Sequence, residues 1–311
     1  MRTTNNMMSR QLMTNIFSNY NKMMKHHMQV TTGKAFQYPS ENPYDAIKIC
    51  DLNFKYDKNE RYKDNVSQAL GVVKEIEGGL TAVNESLADI KELINQSMNG
   101  SNGKDERQIM ARVIQAHKEN IISQLNREYS GKYIFGGLNT SETPLKSATG
   151  QVTYNGVNLT DMTDERFDNF LQDSITMAVS EGIGFDSSFS ALKVTGFGNE
   201  NLFCMLDNII NELNSDDFQV EKLMVPGKFN EDALTSVQKM IAEIGGKASR
   251  LEALDKKLSN NELSILTLIT ETEGVDIEKA VIDFKTAEMV YHAALSTTAR
   301  IIQPTILDYL R

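Results

Sequence analysis

The residues of this chain best suited to binding metal or to catalysis are four histidines, two cysteines and scattered carboxylates. A zinc-protease helix needs two histidines four apart around a glutamate, because that spacing puts both imidazoles on one face. Here His26 and His27 are adjacent, and His117 and His292 stand alone. His117 lies among Met110, Ile114 and Ile121, which predicts a core or boundary residue. Cys50 and Cys204 form no Cys-x-x-Cys pair and cannot frame a 311-residue chain by themselves, so both are expected as buried small hydrophobes. No Gly-Lys-Ser or Gly-Lys-Thr exists to close a phosphate loop, and no Gly-x-Ser-x-Gly to present a nucleophile. Gly182-Ile183-Gly184 and Gly196-Phe197-Gly198 lack the rest of a dinucleotide fingerprint and read as turns. Asp216-Asp217 sits in a polar stretch, where solvated charge explains it. Catalysis needs a positioned constellation, and none is visible. The expectation is a non-enzyme with no catalytic residue, no cofactor and no metal.

What the chain does have is long amphipathic helices. Its 42 acids outnumber 32 bases, giving a formal charge of −10, which argues against a protein that coats nucleic-acid phosphates. No run approaches the roughly 20 apolar residues of a membrane span, and Arg2-Thr3-Thr4-Asn5-Asn6 does not open a secretory signal. The first 40 residues hold no acid and five bases (Arg2, Arg10, Lys22, Lys25 and Lys34). Leu12, Ile16, Met23 and Val30 recur at near-heptad spacing, with Asn19 and His26 in the gaps and Met13, Phe17, Tyr20 and Met24 alongside. This predicts one long helix with a wide apolar stripe. At the other end Ile277, Val281, Phe284, Tyr291, Leu295 and Ile302 follow a 4-3 rhythm in a stretch where acids outnumber bases. Two amphipathic helices of opposite charge are expected to pair with each other.

Between them, Asn42-Pro43 with Asp45 reads as a capped helix start. Val66, Ala69, Val73, Ile76, Leu80, Val83, Leu87, Ile90 and Ile94 then alternate threes and fours over about four heptads, a seam roughly 40 Å long. Gly78-Gly79 is expected to interrupt it. A further helix is predicted over about 104–129. Residues 130–199 turn rich in glycine, serine and threonine. Lys132–Phe135, Gln151–Tyr154 and Ala191–Val194 there read as strands, and Asn155-Gly156 as a hairpin turn. Helix resumes near Leu202. After a loop at Pro226-Gly227, a last helix is predicted from Glu231 to about Thr272, with Asn261 at a core-type position. The fold class expected is mainly α: an elongated hairpin-like rod of long helices with a terminal coiled coil and a small β-containing inserted domain. The domains expected are 1–45 with 271–311, 46–130 with 200–270, and 131–199.

The order of motifs resembles the flagellin family. Thr32-Gly33-Lys34, Pro39-Ser40-Glu41-Asn42-Pro43 and Ala46 resemble its N-terminal signature, with Ala35 in place of the usual arginine. Gly131-Lys132-Tyr133-Ile134-Phe135-Gly136-Gly137 resembles the step into its outer domain, and Gly245-Gly246-Lys247-Ala248-Ser249-Arg250-Leu251-Glu252 its Gly-Ala-Arg-x-Asn-Arg-Leu-Glu motif. Ala293–Arg300 through Leu307-Asp308-Tyr309-Leu310 is similar to the C-terminus of the hook-associated protein 3 branch. The resemblance implies a structural protein of the bacterial flagellum that forms a ring between hook and filament and seats the first flagellin subunits. Its implied partners are further copies of itself, hook-associated protein 1, flagellin, and a cytoplasmic export chaperone on the C-terminal helix. No nucleic acid and no membrane insertion are expected. The implied location is extracellular, reached through the flagellar export channel without a cleavable signal. A minor flagellin-like filament subunit and an unrelated coiled-coil scaffold stay open. The expected assembly interface is Leu12, Ile16, Met23, Val30, Val281, Phe284, Tyr291, Leu295, Ile302 and Leu307.

Overall fold

The computed structural model describes residues 5–98, 103–148, 151–172, 175–186 and 188–301. In chain order it contains α1 (Asn5–Thr32), α2 (Pro43–Met98), α3 (Lys104–Leu125), β1 (Glu128–Tyr129), β2 (Lys132–Tyr133), β3 (Leu145–Ala148), β4 (Gln151–Tyr154) and β5 (Val157–Asn158). There follow α4 (Asp164–Gln172), β6 (Thr176–Ser180), β7 (Ile183–Asp186), α5 (Leu192–Thr195), α6 (Leu202–Asn214), α7 (Val220–Glu273) and α8 (Ile277–Ile301). The protein is mainly α, with a small β-containing region. It forms two compact units, residues 1–59 with 260–311 and residues 60–259. The boundaries fall inside α2 and α7, so each of these helices contributes to both units.

The larger unit is built on the α2 seam. All nine of its predicted core residues, from Val66 to Ile94, are buried. At about 1.5–3 kcal/mol for each buried aliphatic side chain, this stripe is the main reason the helix forms. Gly78-Gly79 does not interrupt it, contrary to the expectation. A Cβ on Gly79 would sit 2.9 Å from the Phe135 ring, and one on Gly71 would collide with Tyr129. The glycines are there so that the segment after α3 can lie against the helix. Ala111, Ile114, Ile121 and Leu125 of α3 and Leu202, Phe203, Leu206, Ile209 and Leu213 of α6 complete the core. Asn201 caps α6, its Oδ1 accepting from the Cys204 N–H at 2.8 Å. Buried Lys118 of α3 donates to Asp207 of α6 at 2.5 Å.

Two boundaries differ from expectation. Helix α7 starts at Val220, and Pro226-Gly227 lies within it, not in a loop. An interior proline costs a helix about 3 kcal/mol. Burial of Leu223, Pro226 and Asn230 against the bundle offsets that cost. Ala191–Val194 is not a strand: α5 forms a single turn there, Thr195 N–H donating to Ala191 and Gly196 N–H to Leu192 at 3.0 Å each. Ala191, Leu192, Val194 and Thr195 are all buried, and burial on more than one side suits a helical turn better than an edge strand. Further on, Asn261 is exposed, and the α7 seam passes from Leu258 to Glu262 and Ile265. That four-residue step falls where the chain passes from one unit to the other. Cys50 is exposed and Cys204 only half-buried, so neither is the buried hydrophobe expected.

The β segment has three small antiparallel sheets, β1-β2, β3-β4-β5 and β6-β7. Asn155-Gly156 makes the predicted two-residue turn, both residues at positive φ, between the Tyr154↔Val157 pair. Tyr154 anchors the sheet. Its buried hydroxyl lies 2.9 Å from Ser190 Oγ, and its ring stands edge-on to Phe170. Desolvation pushes that hydroxyl above the ordinary tyrosine range, against the pull of its hydrogen bonds to Ser190 and Asn155.

Candidate assembly surface

The smaller unit pairs the two ends of the chain. Helices α1 and α8 run antiparallel: Tyr20 meets Tyr291 with ring centroids 5.8 Å apart, and His27 meets Phe284 at 5.5 Å. The expected pairing of oppositely charged terminal helices is therefore present. At one end the pair is tied down by backbone. Gly33, at φ 70°, ends α1. The Ala35 N–H donates to the Glu273 carbonyl at 2.7 Å, and the Val275 N–H to the Gly33 carbonyl at 3.0 Å. Lys34 forms an ion pair with Glu273. The Gly-Lys signature thus fastens the α1 exit to the link between α7 and α8. Asn42 accepts from the Asp45 N–H at 3.3 Å and caps α2, as its spacing predicts.

Of the predicted interface residues, Leu12, Ile16, Met23 and Val30 are half-buried on the α1 face toward α8, together with Asn19 and His26. Phe284 and Tyr291 are half-buried on α8. Val281 and Leu295 lie outside this seam and are exposed. Ile302 and Leu307 lie outside the described residues. The face that α8 turns inward consists of Ala280, Phe284, Ala287, Tyr291, Ala294 and Thr298. Sequence reasoning missed its alanines because it followed large side chains. Their repeat was legible, however: Ala280, Ala287 and Ala294 recur every seven residues, and small side chains let two helices approach closely.

Much apolar surface remains uncovered on this unit. Met13 and Phe17 of α1, Ile47 and Phe54 of α2, Leu263 of α7, and Ile282, Met289 and Val290 of α8 are exposed. So many large apolar side chains on one small unit make it the candidate surface for contact with other molecules. Among the described side chains, none on α1 is fully buried, and on α8 only Ala280 and Thr298 are. The pair therefore holds little core of its own.

A cleft of about 560 Å³ in the larger unit is lined by Tyr129, Tyr133, Ile134 and Met177, with Lys132 its one charged side chain. Among the described residues no three His, Cys, Asp or Glu side chains gather to hold a metal, and no helix is long and apolar enough to cross a membrane. His117 is mostly buried, 3.9 Å from Asp89.

The other family motifs also serve packing. Phe135, from the 131–137 motif, is fully buried and edge-on to Phe189 at 5.7 Å. Glu252, closing the 245–252 motif, pairs with Lys74 at 3.0 Å while Leu251 is buried.

Residues 4–140 match the family model of the bacterial flagellin N-terminal helical region, and residues 228–310 that of the bacterial flagellin C-terminal helical region. The chain is 26% identical over 288 residues to the flagellar hook-associated protein 3 of Escherichia coli K12, covering 89% of each chain. It is 26% identical over 314 residues to that of Salmonella typhimurium LT2, covering 96% of each. A solved structure of a putative flagellar hook-associated protein from Vibrio parahaemolyticus superposes with a TM-score of 0.65 at 22% identity, over 75% of this chain and all of that one; at this identity the likeness speaks for the fold. The two ends of the chain match the N-terminal and C-terminal helical regions of bacterial flagellin, in order and across more than half its length, and the chain belongs to the flagellin family.

Proposed function

We propose that this protein is the junction subunit of a bacterial flagellum: it forms a ring between hook and filament and seats the first flagellin subunits. The observation that carries the reading is the terminal helix pair. Its seam is shared between the two ends of one chain, its small core leaves it marginal alone, and its outer faces are apolar and uncovered. Such a pair gains stability when copies pack together. The full-length relationship to two hook-associated proteins supports the junction over a filament subunit. In this reading Leu12, Ile16, Met23, Val30, Phe284 and Tyr291 hold the pair together, while Val281, Leu295, Ile302 and Leu307 serve contacts between subunits. Hook-associated protein 1 lies on one side of the ring and flagellin on the other. A cytoplasmic chaperone covers the C-terminal helix before export, and the protein reaches the cell exterior through the flagellar channel.

The test is electron microscopy of a deletion strain, with a blot of the medium for flagellin. Hooks without filaments, with flagellin shed into the medium, are expected. Normal filaments would refute the junction role and leave a redundant filament subunit.

A further inference from the structure

The larger unit carries two exposed apolar windows that its own packing does not use. On α3, Ile109 is 59% and Val113 39% exposed; on α7, Met224 is 60% and Val225 70% exposed.

Their placement follows from the contacts of α2. Helix α3 meets α2 through Asn120 and Ser86 at 3.1 Å and through His117 and Asp89 at 3.9 Å. Helix α7 meets it through Glu231 and Lys91 at 3.1 Å and Glu252 and Lys74 at 3.0 Å. Asp89 and Lys91 are two residues apart, about 200° round a helix of 3.6 residues per turn. The helices α3 and α7 therefore flank α2 on opposite sides. Both pairings run antiparallel to α2, so α3 and α7 are parallel to each other. Gly227 lies against Ile94 and Met98, which sets the α7 window beside the last turns of α2. The α3 window lies one to two turns beyond His117 toward that same end.

The charges around the windows match. On α3, Arg112 and Glu119 bracket Val113 and Ala116; on α7, Glu221 and Lys228 bracket Met224 and Val225, and all eight are exposed. Each bracket spans seven residues, two helical turns, so its ends share one face. In the same chain direction the signs read plus–minus on α3 and minus–plus on α7. Parallel helices would pair Arg112 with Glu221 and Glu119 with Lys228, closing Val113, Ala116, Met224 and Val225 between them, with Ile109 just outside the Arg112 end.

We propose that these windows form a head-to-tail docking surface for a second copy of this chain, the α3 window of one molecule against the α7 window of the next. The complement of each window is present on the same chain, on the opposite flank of the same bundle, which is the condition for a contact that propagates into a ring or row. This inference rests on the ring reading above and adds a contact made by the larger unit to those of the terminal helices.

The test uses purified full-length chain carrying Cys50→Ser and Cys204→Ser, with Val113→Cys, Val225→Cys or both, treated at high concentration with a short bismaleimide. Mixing the two single-cysteine chains is expected to give dimers, and the double variant a ladder of dimers, trimers and larger species. Each single variant alone is expected to give at least tenfold less. Arg112→Glu is expected to weaken the ladder about tenfold, and Glu221→Arg in the same chain to restore it. Circular dichroism checks that every variant folds. Dimers from Val113→Cys alone would mean a two-fold contact of like windows and overturn the proposal, as would a double variant that stays monomeric. The cross-link is scored in purified protein, so its failure is separate from failure of the junction role, which the deletion strain reads.

Discussion

The side-chain amide of Asn230 in α7 donates to the main-chain carbonyl of Leu87 in α2 at 3.1 Å, joining helices 143 residues apart in sequence. Asn230 is buried, and its Oδ1 finds no partner among the described residues. The amide therefore gains one bond and leaves one acceptor unmet. Asn230→Ala is expected to lower stability by about 1–2 kcal/mol, through the lost bond and the space left behind. Asn230→Leu should cost less than Asn230→Ala, because it removes the unmet acceptor and keeps the volume. Urea melts of the full chain followed by circular dichroism decide this; a leucine variant weaker than the alanine one would show that the hydrogen bond dominates.

Gly79 and Phe135 share one space. Gly79→Ala would gain about 1 kcal/mol in helix propensity but put its methyl 2.9 Å from the ring. The net effect expected is a loss of about 1–3 kcal/mol from overpacking. In a Phe135→Leu background the same change should cost at least 1 kcal/mol less. A double-mutant cycle measures the coupling, and additive effects would disprove the shared-space account.

The ion pair of Lys118 and Asp207 is asymmetric, since the lysine side chain is 6% exposed and the aspartate 34%. Removing the partner of the buried charge should matter most. Asp207→Ala is expected to destabilise by about 3–5 kcal/mol, and Lys118→Met by clearly less, because methionine fills the site without a charge. Equal losses in chemical melts would mean that the pair itself supplies the stability.

The raised pKa of Tyr154 fixes the direction of an alkaline effect. In the unfolded chain this hydroxyl ionises near pH 10, and in the folded chain only above that. The folded state therefore holds its proton longer. Its contribution is complete below pH 10 and is lost as pH rises through the folded pKa. Melting temperature should fall faster above pH 10 in the parent than in Tyr154→Phe, even though the variant lacks the bond to Ser190. Parallel curves would assign the alkaline loss to other groups.

Leu295 and Ala287 lie on one helix and should fail differently. Leu295 is exposed outside the α1–α8 seam, so Leu295→Asp is expected to change the melt of the monomer by less than about 0.5 kcal/mol while blocking assembly. Ala287 faces α1, so Ala287→Leu should open the pair and speed protease cleavage of both terminal helices, leaving residues 60–259 resistant. A sharp stability loss in Leu295→Asp would place that residue inside the folded monomer.

The sequence alone was enough to name the long helices, the α2 core, the Asn42 cap, the Asn155-Gly156 turn and the pairing of the chain ends. Each of these is written in local spacing or local backbone chemistry: threes and fours of aliphatic residues, an Asn-Pro start, an Asn-Gly turn, opposite charge. Tertiary structure decided what spacing could not. Gly78-Gly79 reads as a helix breaker until Phe135 arrives to occupy the missing Cβ. Pro226 reads as a loop until the burial of Leu223 outweighs its lost hydrogen bond. Ala191–Val194 reads as a strand until neighbours surround it. On α8 Val281 and Leu295 read as part of the seam, yet Ala280, Ala287 and Ala294 share the inside with Phe284 and Tyr291, because small side chains between the two rings let the helices approach and leave Val281 and Leu295 outside. Local pattern states which residues seek cover. Only the packed chain states which of them its own helices cover and which stay exposed.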